Sequence, residues 1–155
     1  SIMSTTSIDV GELLYEAKVK FTGVTEFGVS MDSLMGGETP PPPEGARFDV
    51  AFEGSSVGPK IKGSIVGVDY VHVRADGRFQ LHIHAEITTD DGAKISVFAD
   101  GVGLPRENSP IADLRENVTL TTSSEAYSWV NHLQVWAQGT VDLEKQEVEV
   151  KGYAA

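Results

Sequence analysis

The stretch Asp69-Tyr70-Val71-His72-Val73-Arg74-Ala75-Asp76-Gly77-Arg78-Phe79-Gln80-Leu81-His82-Ile83-His84-Ala85-Glu86-Ile87 alternates apolar and polar residues with a period of two on both sides of Asp76-Gly77. That period belongs to half-buried strands, and Asp-Gly between two such runs marks a hairpin. A two-residue turn would set Val71 opposite His82 and mix polar with apolar side chains on both faces. A three-residue loop, Ala75-Asp76-Gly77, ending in a left-handed glycine bulge instead pairs Val73 with Phe79 and Val71 with Leu81. The next hairpin follows the same rule. With Asp90-Asp91-Gly92 as its loop, Ile87 meets Ile95 and Ala85 meets Val97. One face then collects the apolar residues. The other carries Tyr70, His72, Gln80, His82, His84, Glu86, Ser96, Phe98 and Asp100, while Asp69 falls on the apolar face opposite Ile83.

The same period extends outward in both directions. It recurs at Leu13-Tyr15-Ala17-Val19-Phe21, Phe27-Val29-Met31, Phe48-Val50-Phe52, Val118-Leu120, Trp129 to Ala137, and Val148-Val150. About eight to ten strands result. Helix has little room beyond short turns at Ser109-Pro110-Ile111 and at Ser124 to Tyr127. The run Pro40 to Pro43 is a stiff extended loop. Many strands in one small domain need their edges managed, and a closed antiparallel β-barrel does so better than an open sheet; a sandwich is the second choice.

The chain has 155 residues and a net charge of −11, the natural size of one domain. Its acidic balance argues against nucleic acid as a partner. It contains no cysteine, which excludes disulfides, thiolate zinc sites and thiol nucleophiles. No apolar stretch reaches the roughly 20 residues that cross a bilayer as a helix, so no membrane partner is expected and a cytoplasmic location is. Residues 1–9 read as a polar leader, with Ser1-Ile2 ahead of Met3 a remnant of expression, and residues 10–155 form the domain. No phosphate-cradling glycine loop precedes a helix, so no cofactor is implied, and no serine sits on a nucleophile elbow.

Two groups of residues carry chemistry. On the inward faces Asp69, Tyr15 and Asn131 stand among apolar neighbours that include Phe48 and Trp129. A desolvated carboxyl is raised toward neutrality and serves as general acid or base, while a hydroxyl and an amide stabilise an oxyanion. The plain structural reading is that Asp69 bonds turn amides and Asn131 satisfies an interior backbone group. Arg47, at the mouth of its strand, is placed to pair with Asp69 or to meet an anionic ligand. On the polar face His82 and His84 lie about 6 to 7 Å apart along one strand and form a reserve acid–base pair. With Glu86, His72 or Asp100 they also make a paper metal site, His82-His84-Glu86 being the simplest set. A solvated exterior or a subunit interface involving Tyr70 and Phe98 competes with that reading.

The segments Gly45-Ala46-Arg47, Glu53 to Tyr70, Thr89-Asp90-Asp91-Gly92-Ala93-Lys94-Ile95 and Tyr127-Ser128-Trp129-Val130-Asn131-His132 occur in order. Together they make the chain resemble the family called domain of unknown function 3237, also uncharacterised protein family 0311, over about residues 12–150. The resemblance implies a closed antiparallel barrel of lipocalin-like form, often oligomeric, with no general activity. The positions it carries over are Arg47, Asp69, Trp129 and Asn131. Family members usually read Gly-Gly-Ala-Asp-Trp where this chain has Val66-Gly67-Val68-Asp69-Tyr70, and Leu-Asp-x-Arg-Tyr where it has Leu81-His82-Ile83-His84-Ala85. His82 and His84 thus mark a departure, and if those positions lined the lumen the two faces would exchange roles.

The expectation is a homo-oligomeric barrel that encloses a small apolar or aromatic ligand, with Arg47, Tyr70, Trp129 and Phe48 around it. Its activity is expected to be cofactor-independent acid–base catalysis of the isomerase, cyclase or lyase type on a carbonyl-bearing or aromatic metabolite. The alternatives are a ligand-binding protein without chemistry and a metal-dependent enzyme using His82, His84 and Glu86.

Overall fold

A computed structural model describes residues 9–155. The leader expected over residues 1–9 therefore lies outside the described residues, apart from Asp9. Eight strands follow one another around a closed barrel, each antiparallel to the next: β1 Leu13–Glu26, β2 Ala46–Pro59, β3 Lys62–Val73, β4 Phe79–Thr89, β5 Lys94–Pro105, β6 Ile111–Thr121, β7 Val135–Asp142 and β8 Glu147–Ala154. β8 closes on β1 through pairs such as Val19 with Val148. Closure leaves no strand edge unpaired.

The register is the one that the three-residue loops require. Val73 pairs with Phe79, Asp69 with Ile83, Ile87 with Ile95 and Ala85 with Val97. Gly77 and Gly92 take the positive φ values of 88° and 93° that the bulge demands, a conformation that glycine adopts without steric cost. Every second residue consequently points into the barrel, except where bulges interrupt the alternation of β1. Phe48, Ile87, Ile95, Val118, Leu120 and Val135 are fully buried, and His82, His84, Glu86 and Tyr70 face outward.

Three local expectations are corrected. Phe27-Val29-Met31 is not a strand, because β1 stops at Glu26, the chain bends through Gly28 (φ 95°) and a short helix α1, Met31–Met35, begins. The Met31 N–H donates to Glu26 Oε2 (2.6 Å) and the Ser33 N–H to the capping Ser30 Oγ (3.3 Å), satisfying first-turn amides. Ser109-Pro110-Ile111 forms no helix; Ser109 Oγ accepts the Ile111 N–H (3.1 Å) in a turn that leads directly into β6. Trp129 to Ala137 is not one strand, since a 3-10 helix spans Glu125–His132 and β7 starts at Val135. Asn131 holds that helix to the end of β6: its Nδ2 donates to Thr122 O and its Oδ1 accepts the Thr122 N–H, both at 2.8 Å. Tyr127 Oη donates to Asp91 Oδ1 (2.9 Å) and ties the same helix to the β4–β5 turn. The strand registers place α1 at the opposite end of the barrel. Among the described residues no helix is long and apolar enough to cross a membrane.

Burial separates the two faces energetically. Ile87→Ala, which empties a site 1% exposed, is expected to lower the unfolding free energy by about 2–5 kcal/mol. Val66→Ala, at an outward position 48% exposed, should change it by no more than about 0.5 kcal/mol. Urea titration of both variants checks the assignment, and equal losses would contradict it.

Candidate functional site

The barrel encloses a cavity of about 120 Å³. That is the scale of a space that takes one small aromatic ring. Its wall is hydrocarbon almost throughout, with Phe21, Phe48, Phe52 and Phe79 among the larger contributors and Met31 and Met35 of α1 at one end. Among the described residues, the lining includes only three that carry ionisable groups: Tyr15, Asp69 and Glu116.

Each is set by its strand. Tyr15 lies on β1 between register shifts, one toward β8 before it and one toward β2 after it, and such bulges re-aim a side chain. Its ring packs against Gly152 of β8, where a methyl group would stand 2.3 Å from Tyr15 Cε1. Only glycine leaves that room. Asp69 projects inward from β3, and its Oδ1 accepts the His82 N–H of β4 at 3.0 Å. Glu116 projects inward from β6, opposite Gly101 on one side and Ala137 on the other. Small neighbours on both sides leave space for the longer carboxyl.

Water exclusion controls the acidity of all three. Burial raises the Asp69 carboxyl to about 6, although the His82 N–H and the field of Arg47 pull it down. Asp69 has residual accessible surface because it borders the cavity, while the barrel wall encloses it otherwise. Burial also raises Glu116, to about 7, with repulsion from the Asp69 carboxylate adding to the shift. The Tyr15 hydroxyl is pushed up by burial and then by Glu116, so it stays protonated. Between about pH 6 and 7 the lumen therefore holds one carboxylate and one carboxylic acid beside the phenol.

The structure thus brings Tyr15, Asp69 and Phe48 together with Glu116. Reading the β6 period back from Val118-Leu120 reaches Glu116 and Leu114, so the alternation that marked the strand also carried the missing residue. Asn131 is not in the lumen, because both ends of its amide are spent on the Thr122 backbone. Trp129 sits on the 3-10 helix, 38% exposed, and does not line the cavity. Arg47 points outward; its guanidinium donates to Val71 O (2.6 Å) and Asp49 Oδ1 (2.9 Å) and lies over the Phe27 ring. It pairs with Asp49, not Asp69. Tyr70, His82 and His84 cluster on the outer wall, and Glu86 faces Lys94 there at 3.7 Å. Among the described residues no group of three or more His, Cys, Asp and Glu side chains is disposed to hold a metal ion.

The profile of the family described as protein of unknown function (DUF3237) matches residues 21–155. The chain belongs to the DUF3237 family. This DUF3237 barrel is similar to a protein of unknown function from Clostridium acetobutylicum ATCC 824, with TM-score 0.76, 21% identity and coverage of 93% of this chain and 97% of that one. It is equally similar to a beta-barrel like protein from Acinetobacter baumannii AYE (TM-score 0.75, 21% identity, 97% and 98% coverage). An enzyme from Penicillium herquei shares the fold at TM-score 0.60 and 21% identity, over 97% of this chain and 99% of that chain. No curated protein matches the DUF3237 chain.

The raised carboxyls predict how stability depends on pH. Folded Asp69 and Glu116 hold protons up to about 6 and 7, whereas the unfolded chain releases them near the ordinary value of about 4. Below that value both states are protonated and the two groups cost nothing. As pH rises the unfolded chain releases its protons first, so stability falls and the loss is complete only above about 7. The D69N/E116Q double variant should show a flatter decline across that window in unfolding titrations. A slope as steep as the wild type's would contradict the assignment.

Proposed function

We propose that this barrel is a cofactor-independent acid–base enzyme of the isomerase, cyclase or lyase type, acting on a small, uncharged, carbonyl-bearing or aromatic molecule. The observation that carries the reading is the isolation of one phenol and two carboxyls, raised to about 6 and 7, in an otherwise apolar cavity. General acid–base catalysis works best when the group's pKa lies near the operating pH, and desolvation supplies that match here. In the proposed cycle the Asp69 carboxylate takes a proton from the substrate. The Tyr15 hydroxyl donates a hydrogen bond to the oxygen on which charge develops, Glu116, still protonated, returns a proton at a second position, and transfer of the proton held by Asp69 to Glu116 restores both groups.

Substrate charge follows from the same wall. No lysine, arginine or histidine is among the described cavity-lining residues, so a carboxylate or phosphate would enter a space already holding Asp69. The cavity volume of about 120 Å³ favours a single ring or a short branched carbonyl compound. That the Penicillium herquei relative of this fold is described as an enzyme agrees with a catalytic reading. The second reading, a binding protein without turnover, rests on the hydrocarbon character of the wall.

Cyclohexanone in D2O provides a direct probe, because deuterium entry at its α-carbon reports proton abstraction next to a carbonyl. The wild type should accelerate exchange, and Asp69→Asn should lower the rate by roughly 10²–10⁴-fold while the near-ultraviolet circular dichroism stays native. The rate should rise as Asp69 ionises at about 6 and fall as Glu116 loses its proton at about 7, a bell belonging to the coupled pair. Undiminished exchange in D69N would overturn the assignment. Saturable binding of cyclohexanone with no exchange would favour the binding protein.

A further inference from the structure

We propose that His82 and His84 form a two-nitrogen chelate on the outside of the barrel that takes a divalent transition cation, such as Zn2+ or Cu2+. The site is separate from the lumen and goes beyond the acid–base reading. Both residues lie on β4 two positions apart, so the strand period sends both side chains to the same outward face. Their Nε2 atoms are 3.2 Å apart. An ion that binds imidazole nitrogen at 2.0–2.1 Å in tetrahedral geometry sets two such ligands about 3.3–3.4 Å apart. The pair therefore already stands close to chelating distance. Without an ion, that distance is spanned by one N–H donating to the other ring's nitrogen, and a metal replaces the shared proton.

The neighbours hold the rings in place. Phe98 meets both imidazoles edge to face, with centroids 5.4 Å away, and Tyr70 meets His84 at 6.0 Å. Rings packed on either side have fewer rotamers to lose when an ion binds. The nearby carboxylates are otherwise engaged. Glu86 faces Lys94, and Asp100, which pairs across the strands with His82, accepts from Asn117 Nδ2 at 3.0 Å. The set is therefore His82 and His84 alone, with water completing the coordination, rather than the His82-His84-Glu86 set. Imidazole suits Zn2+, Cu2+ and Ni2+, and the net charge of −11 raises the local concentration of cations.

Calorimetric titration of ZnCl2 and CuCl2 into the full chain, without an affinity tag and near neutral pH, tests the proposal. One ion per chain should bind, Cu2+ more tightly than Zn2+. His82→Ala and His84→Ala should each weaken binding by about tenfold or more, and Glu86→Ala should leave it unchanged. Histidine-to-glutamine variants serve as a second pair should an alanine variant lose native circular dichroism. In the proton spectrum Zn2+ should shift the imidazole signals of His82 and His84 and leave those of His72 and His132 in place. Acidification should weaken binding, since only neutral imidazole coordinates. Absence of binding, equal affinity in the H82A/H84A double variant, or shifts at His72 or His132 instead would overturn it.

Discussion

Two carboxyl groups held inside a hydrocarbon-lined barrel set the terms for the rest of this molecule. Taking an ionised carboxylate out of water is costly, and no cation among the described cavity-lining residues compensates Asp69 or Glu116. The interior relieves the strain by keeping protons on them into the neutral range. That response depends on closure. An open sheet would admit water at its edges and return both groups to ordinary acidity, whereas the β1–β8 pairing completes the wall. The folded state thus gives up stability at neutral pH to keep acidic groups in an apolar space.

The wall also keeps two sets of titratable groups apart. Strand alternation sends Ile83 inward while His82 and His84 face out, so the imidazoles never share the lumen with the carboxyls. The residue that carries one outward imidazole also serves the lumen, since the His82 backbone N–H donates to Asp69 Oδ1. Arg47 shows the same division. It is close enough to lower Asp69 through its field, yet its hydrogen bonds go to the Val71 carbonyl and Asp49 on the outside.

Much of the fold was legible because hairpin chemistry is local. Two Asp-Gly loops and the requirement that apolar residues share a face fixed the β3–β4–β5 register, and with it the inward position of Asp69. Tyr15 followed from the alternation of β1. Glu116 carried the same period but sat in a stretch with Arg115 and Asn117, where a charged residue looks exposed until the strand is read through to Leu114. Asn131 and Trp129 were misplaced for a different reason. A 3-10 helix held by side-chain bonds to the Thr122 backbone and to Asp91 depends on partners outside the alternating stretch, one of them 36 residues away, and an apolar-polar alternation over nine residues does not reveal them. The helix α1 was missed although its partner is near in sequence, since its first amide is satisfied by Glu26 at the end of the preceding strand, a contact that the period of two does not show.

The most direct measurement is a carbon-detected nuclear magnetic resonance titration of the side-chain carboxyl carbons, with Asp69 and Glu116 assigned through D69N and E116Q. Desolvation in the closed lumen predicts two coupled transitions at about 6 and about 7, with the Glu116 transition moving downward when Asp69 is replaced by the neutral amide. Independent transitions for both groups near the ordinary carboxyl value of about 4 would mean that the barrel interior is wet, and would contradict the account.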